Sequence, residues 1–162
     1  MVVTEPLAGA DADQHWLLEA IGLSRRSAPS ATAYSVGAVL VAGSGRVLST
    51  GYSRETEPAD HAEEVAIAKL GWSADRHRAD ELAAATLYSS LEPCAIRASR
   101  PVACADLIIA SGIGRVVYAW HEPPVLAPGG GAARLRAAGV VVVELPELAE
   151  AARAVNSHLL PD

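Results

Sequence analysis

Apolar residues recur along this chain in two periods, and the two alternate. Trp16, Leu17, Ala20 and Ile21 fall at helical spacing, with Asp11 or Asp13 placed to cap the start, so a helix is expected to about residue 25. A loop follows over 25–32. The runs 36–41 and 47–52 are short, apolar and rich in β-branched residues, and Ala42-Gly43-Ser44-Gly45 between them predicts a β-hairpin. Ala62, Val65, Ala66, Ile67, Ala68 and Leu70 describe a buried helix over 61–70 that Gly71 ends. Beyond it the pattern predicts a strand over 85–89, then a helical turn opened by Pro93 and a helix opened by Pro101 that runs to about 110. A strand over 116–120, a helix over 130–138, a strand over 140–145 and an amphipathic helix over 146–159 complete the chain. Strands alternating with helices in this half imply parallel pairing, so the fold class is α/β, with one domain over 1–162. Three prolines and three glycines make 122–131 the expected mobile stretch.

Composition narrows the function. Half of the 162 residues are apolar, enough for one substantial core without disulfide staples. A formal charge of −6 argues against a broad basic face for nucleic acid and leaves a small-molecule substrate as the expectation. The start of the chain lacks the pattern of a signal peptide and no apolar run reaches membrane length, so a cytoplasmic protein without membrane contact is expected. In that reducing compartment Cys94 and Cys104 are expected to be working thiolates and not a disulfide.

The chemistry concentrates in His61-Ala62-Glu63, Glu92-Pro93-Cys94 and Cys104. One imidazole and two thiolates suit a catalytic Zn2+, which keeps three protein ligands and leaves a fourth position to water. Glu63 is then the candidate proton carrier; Glu64 is its rival, but adjacent helical positions point about 100° apart. The order H-x-E followed by P-C-x-x-C marks zinc deaminases of bases, although here nine residues separate the cysteines. Two helix N-termini, those begun by Pro93 and Pro101, are expected to converge on the metal and favour thiolate. His15, His77 and His158 read as surface residues. His121 follows the fourth strand at the carboxyl edge, where ligands bind in open α/β sheets. Trp120 is a candidate wall for a planar ring or a core residue. Arg97, Ser99 and Arg100 lie between the cysteines, as a phosphate anchor or as solvent-facing groups. Gly129-Gly130-Gly131 lacks the Lys-Ser/Thr of a phosphate loop and reads as a turn.

The chain resembles the cytidine-deaminase superfamily, and within it the pyrimidine deaminases of riboflavin biosynthesis. The likeness rests on the zinc motif and on Val36-Gly37-Ala38-Val39-Leu40-Val41, Gly51-Tyr52, Leu91-Glu92-Pro93-Cys94 and Ile113-Gly114-Arg115-Val116-Val117-Tyr118-Ala119. It continues through Leu135, Ala138-Gly139-Val140, Glu150-Ala151 and Val155-Asn156, and a deaminase domain without a reductase domain is the expectation. The resemblance implies a three-layer α/β/α sandwich around a five-stranded mixed sheet. It implies hydrolytic deamination of a phosphoribosylated diaminopyrimidine, and a homodimer or higher homo-oligomer. The bacterial members have Asn-Pro where this chain has Ala33-Tyr34, and His where it has Ser53, which makes Tyr34 and Ser53 candidate substrate contacts. The segment Cys94-Ala95-Ile96-Arg97-Ala98-Ser99 is more similar to the fungal members. Two other readings accompany this one: deamination of a nucleoside, deoxycytidylate, a free base or a secondary metabolite, and a non-catalytic protein whose zinc only staples helices together.

Overall fold

The computed structural model describes residues 8–71, 73–123 and 129–161. The two halves of the chain build one five-stranded sheet. Strands β1 (Gly37–Val41) and β2 (Val47–Tyr52) form the expected hairpin, and β1 pairs antiparallel with β3 (Thr86–Leu91) as well. Strand β4 (Arg115–Trp120) runs parallel to β3, and β5 (Val141–Glu144) parallel to β4, so the sheet is mixed, in the order β2-β1-β3-β4-β5.

Helix α1 (Ala10–Ser24) packs on β1 and β3 and meets α6 (Ala149–Val155) on one face. On the opposite face α4 (Cys104–Ser111) packs against both α2 (Ala62–Ala68) and α5 (Gly131–Ala137). Two glycines on neighbouring strands let these layers close. A Cβ at Gly37 would lie 1.9 Å from the Ala20 carbonyl oxygen of α1, and one at Gly51 would lie 2.3 Å from the Ala62 carbonyl oxygen of α2. Gly51 pairs with Ala38, the residue after Gly37, and successive strand residues face opposite ways, which places the two helices on opposite sides. The expected three-layer α/β/α sandwich with a five-stranded mixed sheet is what forms. Covered on both faces, β1 is buried at every position. Leu17, Ile21, Leu40, Leu87, Ile108, Val116, Val117 and Leu135 make the core.

Several local expectations are corrected. Gly9 is the N-cap of α1; Asp13 does not cap, because Arg115 grips its carboxylate with two bonds of 2.7 Å and the Tyr88 hydroxyl donates a third. An ion pair across α1 and β4 outcompetes a local cap. Pro93 opens no helical turn: Glu92 to Ala103 is irregular, and α4 starts at Cys104 with Ala103 as its cap, not at Pro101. Strand β3 reaches Leu91, two residues beyond the expected end, because β4 pairs with it as far as Trp120. A further helix, α3 (Arg76–Ala83), occupies the charged segment after residue 75; only Leu82 is buried, too thin an apolar stripe to register as a period. The terminal helix is broken into a 3-10 turn at Pro146–Leu148, α6, and a 3-10 turn at Ser157–Leu159. Within the stretch expected to be mobile, 124–128 lies outside the described residues.

Candidate active site

Three carboxyl-proximal and helix-initial positions meet above one end of the sheet. His61 is the N-cap of α2, Cys104 the first residue of α4, and Cys94 lies three residues past the end of β3. The N-termini of α2 and α4 therefore converge here, a different pair from the one that prolines 93 and 101 suggested. His61 Nδ1 lies 3.6 Å from Cys94 Sγ and 3.3 Å from Cys104 Sγ, and the three donor atoms lie within 4.8 Å of one another. Tetrahedral zinc with ordinary Zn–S and Zn–N lengths would separate N and S donors by about 3.6 Å, so the triad fits zinc in chemistry and in spacing. Among the described residues no fourth His, Cys, Asp or Glu joins the group. His121, just past the end of β4, is 63% exposed in its side chain and pairs with Glu92, Nδ1 to Oε1 3.2 Å.

The thiols differ. A hydrogen bond from Cys104 holds Cys94 down, to about 4, against the opposing effect of burial and with further help from His61. The same bond, with burial, pushes Cys104 well up. The backbone N–H of Cys104 also donates to Cys94 Sγ at 3.3 Å. The fold thus favours a thiolate within the pair, and zinc, which binds both sulfurs as thiolates, would release the remaining proton.

The triad opens on a cavity of about 430 Å3 lined by Tyr34, Val36, Ser53, His61, Glu63 and Leu91 among others. Glu63 is buried on the first turn of α2, and the Ser89 hydroxyl donates to its Oε1 at 2.9 Å. Burial pushes its carboxyl above the usual range, against the pull of the His61 ring. Glu64 points elsewhere, to Arg97 Nη1 at 3.1 Å and Arg100 Nε at 2.9 Å, which separates the two adjacent carboxylates as the helical turn requires.

The remaining expected residues divide. Tyr34, Ser53, Arg97 and Ser99 line the cavity; Arg100, Trp120 and His121 do not. The Ser53 hydroxyl is occupied by the backbone of Val36. Arg97 spends its guanidinium on Glu64, the Ala59 carbonyl and Ser99, and Arg100 spends its own on Glu57, Asp60 and Glu64. Trp120 is buried behind Tyr34, edge to face, with ring centroids 5.4 Å apart. Among the cavity residues that escaped the sequence reading are Arg54, Asp60, Glu92 and Glu122. Glu92 was quoted only as part of the cysteine motif. Its fully buried carboxylate accepts the backbone N–H of Glu122 at 3.1 Å and of Ala132 at 2.9 Å, which ties both ends of the following loop to the site. The signal for Glu122 was its place two residues after β4, at the carboxyl edge that already singled out His121.

Comparison with known proteins agrees with this arrangement. A "Diaminohydroxyphosphoribosylamino-pyrimidine deaminase" of Schizosaccharomyces pombe is 38% identical over 131 residues, 81% of this chain and 31% of the relative. "Riboflavin biosynthesis protein RibD" of Aquifex aeolicus is 35% identical over 148 residues, 89% of this chain and 37% of the relative. The chain thus spans about a third of the length of these relatives. Among solved structures, RibD of Acinetobacter baumannii superposes with a TM-score of 0.74 at 28% identity, covering 92% of this chain and 39% of that one. The sequence profile described as "Cytidine and deoxycytidylate deaminase zinc-binding region" matches residues 10–120, which contain the whole His-Cys-Cys triad and Glu63. The chain therefore belongs to the zinc-binding family of cytidine and deoxycytidylate deaminases, and it has the α/β/α fold of the RibD deaminase domains.

Proposed function

We propose that this chain is a zinc-dependent hydrolytic deaminase whose substrate is the phosphoribosylated diaminopyrimidine of riboflavin biosynthesis. One observation carries the reading: a three-donor zinc site and a buried carboxylate, Glu63, face the same cavity with no fourth protein ligand among the described residues. The names and the identity of the S. pombe and A. aeolicus relatives support the choice of substrate.

His61, Cys94 and Cys104 would hold the zinc, which when bound supplies the Lewis acidity that makes water nucleophilic near neutral pH. Glu63 handles the protons. With Oε1 held by Ser89, its other oxygen takes the proton of the attacking water and returns it to a ring nitrogen; a second transfer protonates the departing amine, leaving a carbonyl and ammonia. Val36 and Leu91 give the cavity apolar walls for a planar ring. The phosphate falls to Arg54. It lines the cavity, donates only to the carbonyls of Ala28 and Tyr34 and to the Ser35 hydroxyl, and has no ion-pair partner among the described residues, whereas Arg97 and Arg100 are already neutralised.

We also place the protein in the cytoplasm as one domain: both cysteines are free thiols, no helix among the described residues is long and apolar enough to cross a membrane, and one main apolar cluster joins both halves of the chain. Ile96 and Val102, exposed on the segment between the cysteines, support a homo-oligomer whose copies meet beside the cavity; sedimentation at several concentrations tests it.

The deciding experiment is ammonia release by zinc-loaded protein from the phosphoribosylated diaminopyrimidine, its dephosphorylated form, deoxycytidylate, cytidine, cytosine and guanine, with Glu63→Ala as control. Turnover of the first that requires both Glu63 and the phosphate is the expected result. Turnover of another member keeps the mechanism and replaces the substrate. A zinc ion found with four protein ligands would sink the enzyme reading.

A further inference from the structure

Four buried side-chain atoms among the described residues lack a hydrogen-bond partner: Tyr34 Oη, Glu55 Oε2, Arg100 Nε and Glu122 Oε2. Two of them have a charge beside them, since Lys69 lies 2.8 Å from Glu55 Oε2 and Glu64 lies 2.9 Å from Arg100 Nε. The other two belong to Tyr34 and Glu122, residues that line the same cavity as Glu63. Buried polar atoms are nearly always paired, so two orphans on one cavity wall point to a ligand that pairs them.

Both side chains are held in place. Tyr34 is 8% exposed and its ring rests on Trp120, over which the Arg153 guanidinium lies at 5.9 Å. Glu122 is 6% exposed and its backbone is fixed by Glu92. Tyr34 senses Glu122: burial first, then the Glu122 charge, pushes the Tyr34 hydroxyl up, while burial and the charges of Cys94, Glu92 and Glu63 push Glu122 up to about 8. Other polar groups on the cavity are committed within the fold, Ser53 to Val36 and Arg97 to Glu64.

We propose that Tyr34 and Glu122 form a recognition pair that reads the edge of the substrate ring away from the departing amino group, taking a planar heterocycle with an N–H donor beside a carbonyl. A Glu122 carboxyl oxygen accepts the N–H, and the phenol donates to the carbonyl. A diaminopyrimidinone has such an edge after the leaving amine is set aside; an N1-substituted cytosine has no further N–H donor. The inference rests on the deaminase reading and deepens it, giving the site its preference between those two classes.

The test is calorimetric binding of two probes, 2,5,6-triaminopyrimidin-4-one and 1-methylcytosine, to zinc-loaded wild type, Tyr34→Phe and Glu122→Met, with melting temperatures of all three. Wild type is expected to bind the first probe at least ~10-fold more tightly, and each substitution to remove most of that preference while leaving 1-methylcytosine within about threefold. Because neither atom has a partner in the free protein, neither substitution should lower the melting temperature. The proposal is overturned if wild type shows no preference, if the preference survives both substitutions, or if either variant melts lower. Activity separates the two claims: an intact preference without ammonia from the phosphoribosylated substrate defeats the deaminase reading alone, and turnover with an unchanged KM in both variants defeats the recognition pair alone.

Discussion

At the scale of single residues, what matters in this site is which polar atoms are already spent. Glu63 and Glu64 are adjacent on one helix, yet Glu63 faces the cavity and Glu64 is held by two arginines. Glu63→Gln keeps the shape and the Ser89 contact but cannot carry a proton, so turnover should fall by about 10²–10⁴-fold with zinc content unchanged, as initial rates and metal analysis on one preparation would show. Arg97 and Arg100 teach the opposite lesson. Their position between the cysteines was legible as a cationic stretch, but their side chains are neutralised by Glu57, Asp60 and Glu64 from the loop before α2 and its first turn. No local pattern reports such a pairing, because its partners lie more than thirty residues away in sequence.

Elements contribute through the places where they touch. Helix α1 is pinned to β3 and β4 by Asp13, whose carboxylate is held below its usual range because the bonds from Arg115 and Tyr88 overcome the effect of burial. A folded-state value below the unfolded one, near 3.9, means that this pair stabilises fully above that pH, and that the contribution is lost as pH falls through the depressed value. Asp13→Asn should therefore cost about 2 kcal/mol at neutral pH and flatten the acid side of the stability profile, measured by urea denaturation from pH 7 to 3. Helix α5 is seated equally tightly at the other end. A Cβ on Gly131 would lie 1.6 Å from the Pro93 carbonyl oxygen, so Gly131→Ala must displace either α5 or the Cys94 segment. A destabilisation of about 2–4 kcal/mol, accompanied by weaker zinc binding, is the expected outcome; a loss of stability with zinc affinity intact would show that the segment does not move. Asp13 was visible in the sequence only as a possible cap, since capping is local and the ion pair that replaces it spans 102 residues.

For the whole molecule, zinc is a structural partner as well as a reagent, because the triad joins the N-termini of α2 and α4 to the end of β3. Saturating zinc at about a thousand times its dissociation constant stabilises the folded state by about 4 kcal/mol, so chelation should lower the melting temperature by several degrees and zinc alone should restore it. By itself the sequence determined the α/β class, the hairpin and the parallel pairing of the second half, and it singled out His61, Cys94, Cys104 and Glu63 as the candidate site, because each depends on local periodicity or on short motifs whose chemistry needs those residue types. Tertiary structure alone decided that Cys94 arrives on an irregular segment, that Arg97 and Arg100 are spent inside the protein, that Trp120 backs the cavity without lining it, and that Glu122 and Tyr34 face it unpartnered. Those outcomes depend on which distant groups become neighbours, and a hydrogen bond or ion pair satisfied across the fold leaves no periodic trace in the chain.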